Sequence, residues 1–226
     1  MKPVVIDATH LKLGKYQELY HLFKENGFEL YLVGGTVRDY LLNIQLTDMD
    51  LVTNATPKDM KKFLANADYT FEKFGSVKVN FQQIKFDITT LRKESGYIDN
   101  RHPSKVVFSS SLKEDVYRRD FTVNALYMDH NLEVIDYVNG QEDIKNKILR
   151  MVGNPIERIK EDPLRIVRAV RFSLDYNLQI EKSLLEALKS LKSLIYTLNQ
   201  EKVKQEVSKC RNGEKLLDYL NELDNL

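Results

Sequence analysis

Leu32-Val33-Gly34-Gly35-Thr36-Val37-Arg38-Asp39, followed shortly by Asp48-Met49-Asp50-Leu51-Val52-Thr53, is the stretch on which the reading of this chain turns. It reads as a strand, a Gly-Gly turn, a short helix over residues 37–42 and a second strand over residues 48–53. In a strand, residues i and i+2 face the same side. Asp48 and Asp50 are therefore expected side by side, with Met49 turned the other way. Two adjacent carboxylates repel unless a positive charge lies between them, and hard cations such as Mg²⁺ take oxygen ligands. The Gly-Gly turn would bring backbone N–H groups and a helix N-terminus nearby, which suits a phosphate. The combination points to a metal-dependent enzyme acting on a nucleoside triphosphate. An isolated Asp-x-Asp is most often a solvated strand edge, and an isolated Gly-Gly a tight turn. The order, the spacing and the residues downstream carry the argument.

Working outward, residues 14–26 read as an amphipathic helix with Tyr16, Leu19, Tyr20, Leu22 and Phe23 on its buried side, ended by Gly27. Leu30 to Val33 is the first strand. After the Asp-x-Asp strand, Thr56-Pro57 opens a helix over about residues 57–66. Val77, Val79 and Phe81 then alternate with polar residues. So do Ile84, Phe86 and Ile88 beyond Gln82-Gln83, which predicts a hairpin with one apolar face. Asp87 lies on the polar face, where three carboxylates could converge. Residues 92–105 carry many charges without periodicity and read as a long loop. Residues 112–124 read as helical and 125–137 as a second hairpin turning at His130-Asn131. From about residue 140 helical patterns dominate, including Ser183–Leu198 and Glu201–Leu226. The expected fold class is α+β: a mixed sheet packed on helices over residues 1–138, then an all-helical region over 139–226.

Composition sets limits. The 226 residues have a formal net charge of +1, so any nucleic-acid contact must come from local patches rather than bulk charge. Cys210 is the one cysteine, which excludes an intrachain disulfide. No apolar run approaches the roughly 20 residues of a membrane span. Neither a membrane partner nor a signal peptide is expected, and a cytoplasmic location is the default.

Two further clusters carry chemistry. Arg118-Arg119-Asp120-Phe121-Thr122-Val123-Asn124-Ala125 places adjacent guanidinium groups where they suit phosphate oxygens. A surface salt bridge with Asp120 is the plainer alternative. Glu161-Asp162-Pro163-Leu164-Arg165 opens the helical region, with Asp162 suited to a cap and Pro163 to a first turn. Asp162 and Arg165 read as an ordinary ion pair on one helix face, or as a carboxylate and a guanidinium presented to the edge of a base.

Together these blocks resemble the class II tRNA nucleotidyltransferase / poly(A) polymerase family, which adds CCA or A to RNA 3′ ends. Gly96-Tyr97-Ile98-Asp99-Asn100-Arg101-His102-Pro103 resembles the family's flexible loop. Asp136-Tyr137-Val138-Asn139-Gly140-Gln141-Glu142-Asp143-Ile144 is a weaker match to the element joining head and neck. The resemblance covers roughly residues 15–180. It implies that Asp48 and Asp50 bind metal, with Asp87 as a third catalytic carboxylate. It implies nucleotide contacts from Gly34, Gly35, Arg38, Arg119, Asp120 and Asn124. Asp162 and Arg165 would select the base, with Arg168 and Arg171 contacting phosphate or supporting that pair. Two Mg²⁺ ions, CTP and ATP as substrates and a tRNA 3′ end as partner follow, with metals about 3.5–4 Å apart. No histidine base is then required: His102 would be a loop or positioning residue, and His10, His21 and His130 incidental. The alternatives are a poly(A) polymerase, a relative adding only CC or only A, and a non-catalytic nucleotide- or RNA-binding module. Because the chain stops at Leu226, soon after the neck-like helices, a weakened grip on tRNA is expected, with nucleotide binding surviving better than processive addition.

Overall fold

The computed structural model describes residues 8–97 and 103–223. The chain divides into two compact units. The first holds Met1–Lys93, Val106–Arg118 and Asn124–Tyr137; the second holds Glu94–Lys105, Arg119–Val123 and Val138–Leu226.

The first unit is built on a mixed six-stranded sheet. In chain order its elements begin with α1 (Ala8–Glu25), β1 (Leu30–Val33), α2 (Gly35–Leu41), β2 (Asp50–Thr53), α3 (Pro57–Met60), β3 (Ser76–Phe81) and β4 (Ile84–Thr90). The chain then runs through β5 (Arg92–Tyr97) and β6 (Pro103–Phe108), and the first unit resumes with α4 (Leu112–Val116), β7 (Tyr127–Met128) and β8 (Val134–Ile135). The sheet order is β3-β4-β2-β1-β7-β8. β1 runs antiparallel to β2 and β7, whereas β2 and β4 are parallel, so the Asp-x-Asp strand lies mid-sheet.

Apolar periodicity explains the core. α1 buries Leu13, Tyr16, Leu19, Tyr20 and Phe23, and the Tyr16 hydroxyl donates to the Leu30 carbonyl at 3.0 Å. Val77, Val79, Phe86 and Ile88 are buried while Lys78, Asn80, Lys85 and Asp87 are exposed, as the alternation predicts. The β3–β4 turn is tight: Gln82 (φ 49°) and Gln83 (φ 70°) both sit left-handed, as a two-residue type I′ loop requires.

Several expectations are corrected. β2 begins at Asp50, leaving Asp48 in a bend outside the strand. The helix expected over 57–66 is a single turn, Pro57–Met60, followed by turns in which Lys62 N–H bonds the Asp59 carbonyl and both Phe63 and Leu64 N–H bond the Met60 carbonyl. Residues 92–105 are not a plain loop: β5 and β6 pair as a two-stranded sheet. Residues 98–102, with His102 and most of the loop-like motif, lie outside the described residues. The helix expected over 112–124 is α4 followed by a turn and a 3₁₀ segment, Thr122–Asn124.

The second unit continues with α5 (Gly140–Asn146), β9 (Ile148–Leu149), α6 (Pro155–Glu161), α7 (Leu164–Tyr176), β10 (Gln179–Ile180), α8 (Lys182–Leu191), a 3₁₀ segment over Lys192–Thr197, α9 (Gln200–Ser208) and α10 (Gly213–Glu222). It is not wholly helical, because β9 and β10 form a short parallel pair. The helix read over 201–226 breaks where the Asn212 side chain accepts from Lys215 N–H and starts α10 afresh. α7 buries Leu164, Ile166, Val167, Ala169, Val170 and Phe172 and packs on α9 and α10. Among the described residues, no helix is long and apolar enough to cross a membrane.

Candidate active site

In the first unit the two aspartates flank a buried anchor. Met49 is 1% exposed, while Asp48 is exposed and Asp50 half-buried. The alternation expected of a strand therefore persists although Asp48 precedes it. The segment is held at each residue. The Thr36 hydroxyl donates to the Asp48 carbonyl at 3.2 Å, Asp87 N–H donates to the Met49 carbonyl at 3.0 Å, and Asp50 N–H donates to Thr36 Oγ1 at 2.9 Å. Asp50 and Asp87 are register partners on parallel strands, which stand about 4.8 Å apart. Among the described residues no three His, Cys, Asp or Glu groups form a ready-made metal cluster.

The Gly-Gly turn lies against this carboxylate. Gly34 adopts φ 64°, ψ −124°, a conformation reserved for glycine. Its N–H donates to the Leu126 carbonyl at 3.1 Å, which ties the turn to the approach to β7. A Cβ on Gly35 would lie 3.5 Å from Arg38 Nη2 and 3.8 Å from Asp50 Oδ2, so this position faces a guanidinium and a carboxylate together. Arg38 is buried rather than extended to solvent. Its Nε and Nη2 donate to Asp39 Oδ1 at 2.9 and 2.8 Å, and its Nη1 donates to Asn124 Oδ1 at 2.5 Å. Two of the expected nucleotide contacts, Arg38 and Asn124, thus hold one another.

Arg118 is also engaged: Nε donates to Asp115 Oδ1 at 2.7 Å. Asp115 is fully buried and also accepts from the Tyr127 hydroxyl at 2.9 Å and from Arg92 N–H at 3.2 Å. Arg118 of the Arg-Arg dipeptide is therefore oriented by a buried carboxylate.

The second unit holds the remaining predicted residues. Asp120 Oδ2 accepts from Arg168 Nε and Nη2 at 2.8 and 2.5 Å, and its Oδ1 accepts from Phe121 N–H at 2.8 Å. The Arg119 carbonyl accepts from Arg158 Nη2 at 3.2 Å. Arg168 and Arg171 converge on Glu206 of α9, which is 2% exposed: Arg168 Nη1 lies 3.3 Å and Arg171 Nε 2.7 Å from its Oε1. Burial alone would raise the Glu206 pKa, but Arg168, Arg171 and Lys209 overcome it and hold the carboxyl below the usual range. For Arg168, burial works against the charge, yet Asp120 and Glu206 prevail and raise its pKa.

Asp162 and Arg165 are not two residues of one helix. Asp162 ends α6, and its Oδ1 accepts from Leu164 N–H at 3.1 Å at the start of α7. Arg165 is buried and donates from Nη1 to the Arg158 carbonyl at 2.5 Å and to Glu161 Oε2 at 3.2 Å. Sequence reasoning missed Thr36, Asp39, Asp115 and Glu206. Thr36 and Asp39 lay in plain view beside the glycines and Arg38, and Asp115 stands three residues before Arg118 at helical spacing; Glu206, remote in sequence from Arg171, offered no local signal beyond its charge.

Similarity to known proteins agrees with this geometry. The model of the poly A polymerase head domain matches residues 30–150. A CCA-adding enzyme of Staphylococcus epidermidis is 41% identical over 203 residues, covering 90% of this chain and 51% of that protein. The crystal structure of Bacillus stearothermophilus CCA-adding enzyme in complex with CTP superimposes with a TM-score of 0.80 at 32% identity, over 92% of this chain and 49% of that one. Thermotoga maritima CCA-adding enzyme complexed with tRNA-CCA gives a TM-score of 0.76 at 26% identity, over 97% of this chain and 52% of that one. The chain spans about half the length of the curated relatives it matches. With its sheet, its Asp-x-Asp segment and its Gly-Gly turn in place, the chain belongs to the poly A polymerase head-domain family.

Proposed function

We propose that this chain carries the nucleotidyl-transfer centre of a CCA-adding enzyme, adding C and A from CTP and ATP to a tRNA 3′ end with release of pyrophosphate. The observation that carries the reading is the placement of Asp50 beside Asp87, two residues after Asp48 and against the Gly-Gly turn. Residues 1–138 would form the catalytic head, and 139–226 the helical neck with part of a body. The relatives named above support the choice of nucleotides and RNA, since one was crystallised with CTP and another is a complex with tRNA. A cytoplasmic setting suits such a substrate.

The donor set fits Mg²⁺. Asp48 and Asp50 offer hard oxygen donors, which suit an ion that takes one or two carboxylates and completes its shell with water and substrate phosphates. Asp48 and Asp50 would hold the metal, with Asp87 adjacent. Bound there, Mg²⁺ would neutralise charge on the phosphates and lower the pKa of the attacking 3′-hydroxyl. A triphosphate would lie by Gly35, where an added Cβ would come 3.5 Å from Arg38 Nη2 and 3.8 Å from Asp50 Oδ2, with Arg38 braced by Asn124. In the second unit, Asp162 and Arg165 would read the base. By resemblance Arg119 and Asp120 would contact the nucleotide, and within the second unit Arg168 and Arg171 would act through Asp120 and Glu206 rather than by reaching phosphate directly.

The test supplies labelled CTP or ATP to tRNAs ending before CCA, after one C and after CC. Stepwise C, C, A addition, lost in Asp48→Ala and Asp50→Ala, is expected. Long A tails on unrelated RNA would instead indicate a poly(A) polymerase. No incorporation, together with CTP binding that Asp48→Ala and Asp50→Ala leave unchanged, would sink the catalytic reading.

A further inference from the structure

We propose that Thr36 is a positioning residue of the candidate metal centre, its hydroxyl setting the relation between the Asp48 and Asp50 carboxylates. The inference rests on the reading of those two residues as metal ligands. Thr36 is 3% exposed in the first turn of α2. At the second position of the helix its hydroxyl has no carbonyl of a preceding helical turn to bond. It bonds instead to residues 12 and 14 positions further along the chain. It donates to the Asp48 carbonyl (3.2 Å) and accepts from Asp50 N–H (2.9 Å). One hydroxyl therefore uses both its donor and an acceptor site on the backbone flanking Met49, and its proton is fixed on the Asp48 side.

The location explains why such a clip is needed. Asp48 lies in a bend before β2, so no ladder bond of that strand holds it. Met49 is anchored by its buried side chain and by the bond from Asp87 N–H, which orients only the middle residue. The Thr36 hydroxyl ties down the residue on each side. Without it the Asp48 peptide can rotate, and the spacing of the two carboxylates is no longer defined. The same contact joins α2, and hence the Gly-Gly turn just before it, to the Asp-x-Asp segment. Groups that orient the ligands of a metal typically affect its affinity about 10- to 100-fold.

The experiment measures Mn²⁺ affinity by EPR titration, with and without CTP. It compares wild type, Thr36→Val, Thr36→Ala, Thr36→Ser, Asp48→Ala and Asp50→Ala. Far-UV circular dichroism melts confirm that each variant is folded. Thr36→Val keeps the shape and removes the hydroxyl. Thr36→Ala, a strong helix former, serves if valine disturbs the fold. Thr36→Ser restores the hydroxyl without the methyl. Thr36→Val and Thr36→Ala are expected to bind Mn²⁺ about tenfold more weakly, and Thr36→Ser within about threefold of wild type. Wild-type affinity in Thr36→Val or Thr36→Ala, while the aspartate variants lose binding, overturns the positioning role. So does a Thr36→Ser variant as weak as Thr36→Ala, since methyl packing would then be responsible. Wild type and both aspartate variants binding Mn²⁺ equally, or none of them binding it, overturns the metal-centre reading itself and this inference with it.

Discussion

Replacing Glu206 tests how far the ion cluster of the second unit stabilises the packing of α7 on α9. Glu206 is 2% exposed and accepts from Arg171 Nε at 2.7 Å, Arg168 Nη1 at 3.3 Å and Lys209 Nζ at 3.1 Å. Removing one member of a buried pair costs about 3–5 kcal/mol, because the partner's charge stays behind uncompensated. Two features reduce that figure. Arg168 keeps Asp120 at 2.5 Å and Arg171 keeps Asp175 at 3.5 Å, and the Arg168 side chain remains 28% exposed. Glu206→Ala is therefore expected to lose about 2–3 kcal/mol. Glu206→Gln, which fills the volume and still accepts one bond from Arg171, is expected to lose about 1–2 kcal/mol.

With no tryptophan in the chain, far-UV circular dichroism is the probe, and urea unfolding at pH 7 should show midpoints lowered in that order. The pH dependence supplies a second check. The folded-state pKa of Glu206 lies below its ordinary value of 4.5. A depressed carboxyl contributes stability that is full above the unfolded value and is lost as pH falls through the folded value. The gap between wild type and Glu206→Gln should thus be complete at pH 7 and close on acidification below 4.5. Equal midpoints at pH 7 would refute the reasoning. So would a gap that stays constant while the wild-type carboxyl is being protonated.

Two other outcomes follow from local geometry. Gly34→Ala forces a Cβ onto φ 64°, ψ −124° and should destabilise the first unit by about 1–3 kcal/mol; a thermal midpoint equal to wild type would contradict that. At the capping box of α3, the Thr56 hydroxyl and Lys62 hold the Asp59 pKa at about 2 against an ordinary 3.8, so the stability this carboxylate adds is present above 3.8 and lost as pH falls toward 2. Thr56→Ala should cost about 1 kcal/mol and move the Asp59 carboxyl titration, followed by NMR, upward toward 3.8; an unmoved titration would mean that the cap is not what depresses it.

The parts of the fold that could be read in advance are those with a strong local period. The β3–β4 hairpin declares itself because Val77, Val79, Phe86 and Ile88 alternate with exposed residues. The β5–β6 pair does not, because Lys93, Glu94 and Lys105 interrupt any apolar alternation and Gly96 weakens a strand. Nor could the parallel contact between β9 and β10 be foreseen, since its register is set by partners some 30 residues apart. The site divides in the same way. Asp48, Asp50 and Gly34 announce themselves by spacing and by backbone demand. Arg118 meets Asp115 three residues before it, a spacing that helical geometry makes legible, but the state of Arg168 and Arg171 depends on a distant carboxylate, Glu206. No helical or strand period encodes that choice.

Those pairings bear on how a triphosphate would be held. Arg38 is committed to Asp39 and Asn124, Arg165 to Glu161 and the Arg158 carbonyl, and Arg168 to Asp120 and Glu206. A guanidinium already oriented by a carboxylate loses little freedom when a ligand arrives, but its charge is largely balanced beforehand. With a formal net charge of +1 over the whole chain, bulk electrostatics adds little attraction for a polyanion. Under the proposed function, the divalent cation carried by the nucleotide would then supply positive charge that offsets the phosphates. The carboxylates at Asp48 and Asp50 suit that arrangement, because they repel a bare triphosphate and attract one that carries metal. The same two residues would thereby select the charge state of the substrate as well as place the ion, and the side chain that fixes their spacing, Thr36, would bear on both.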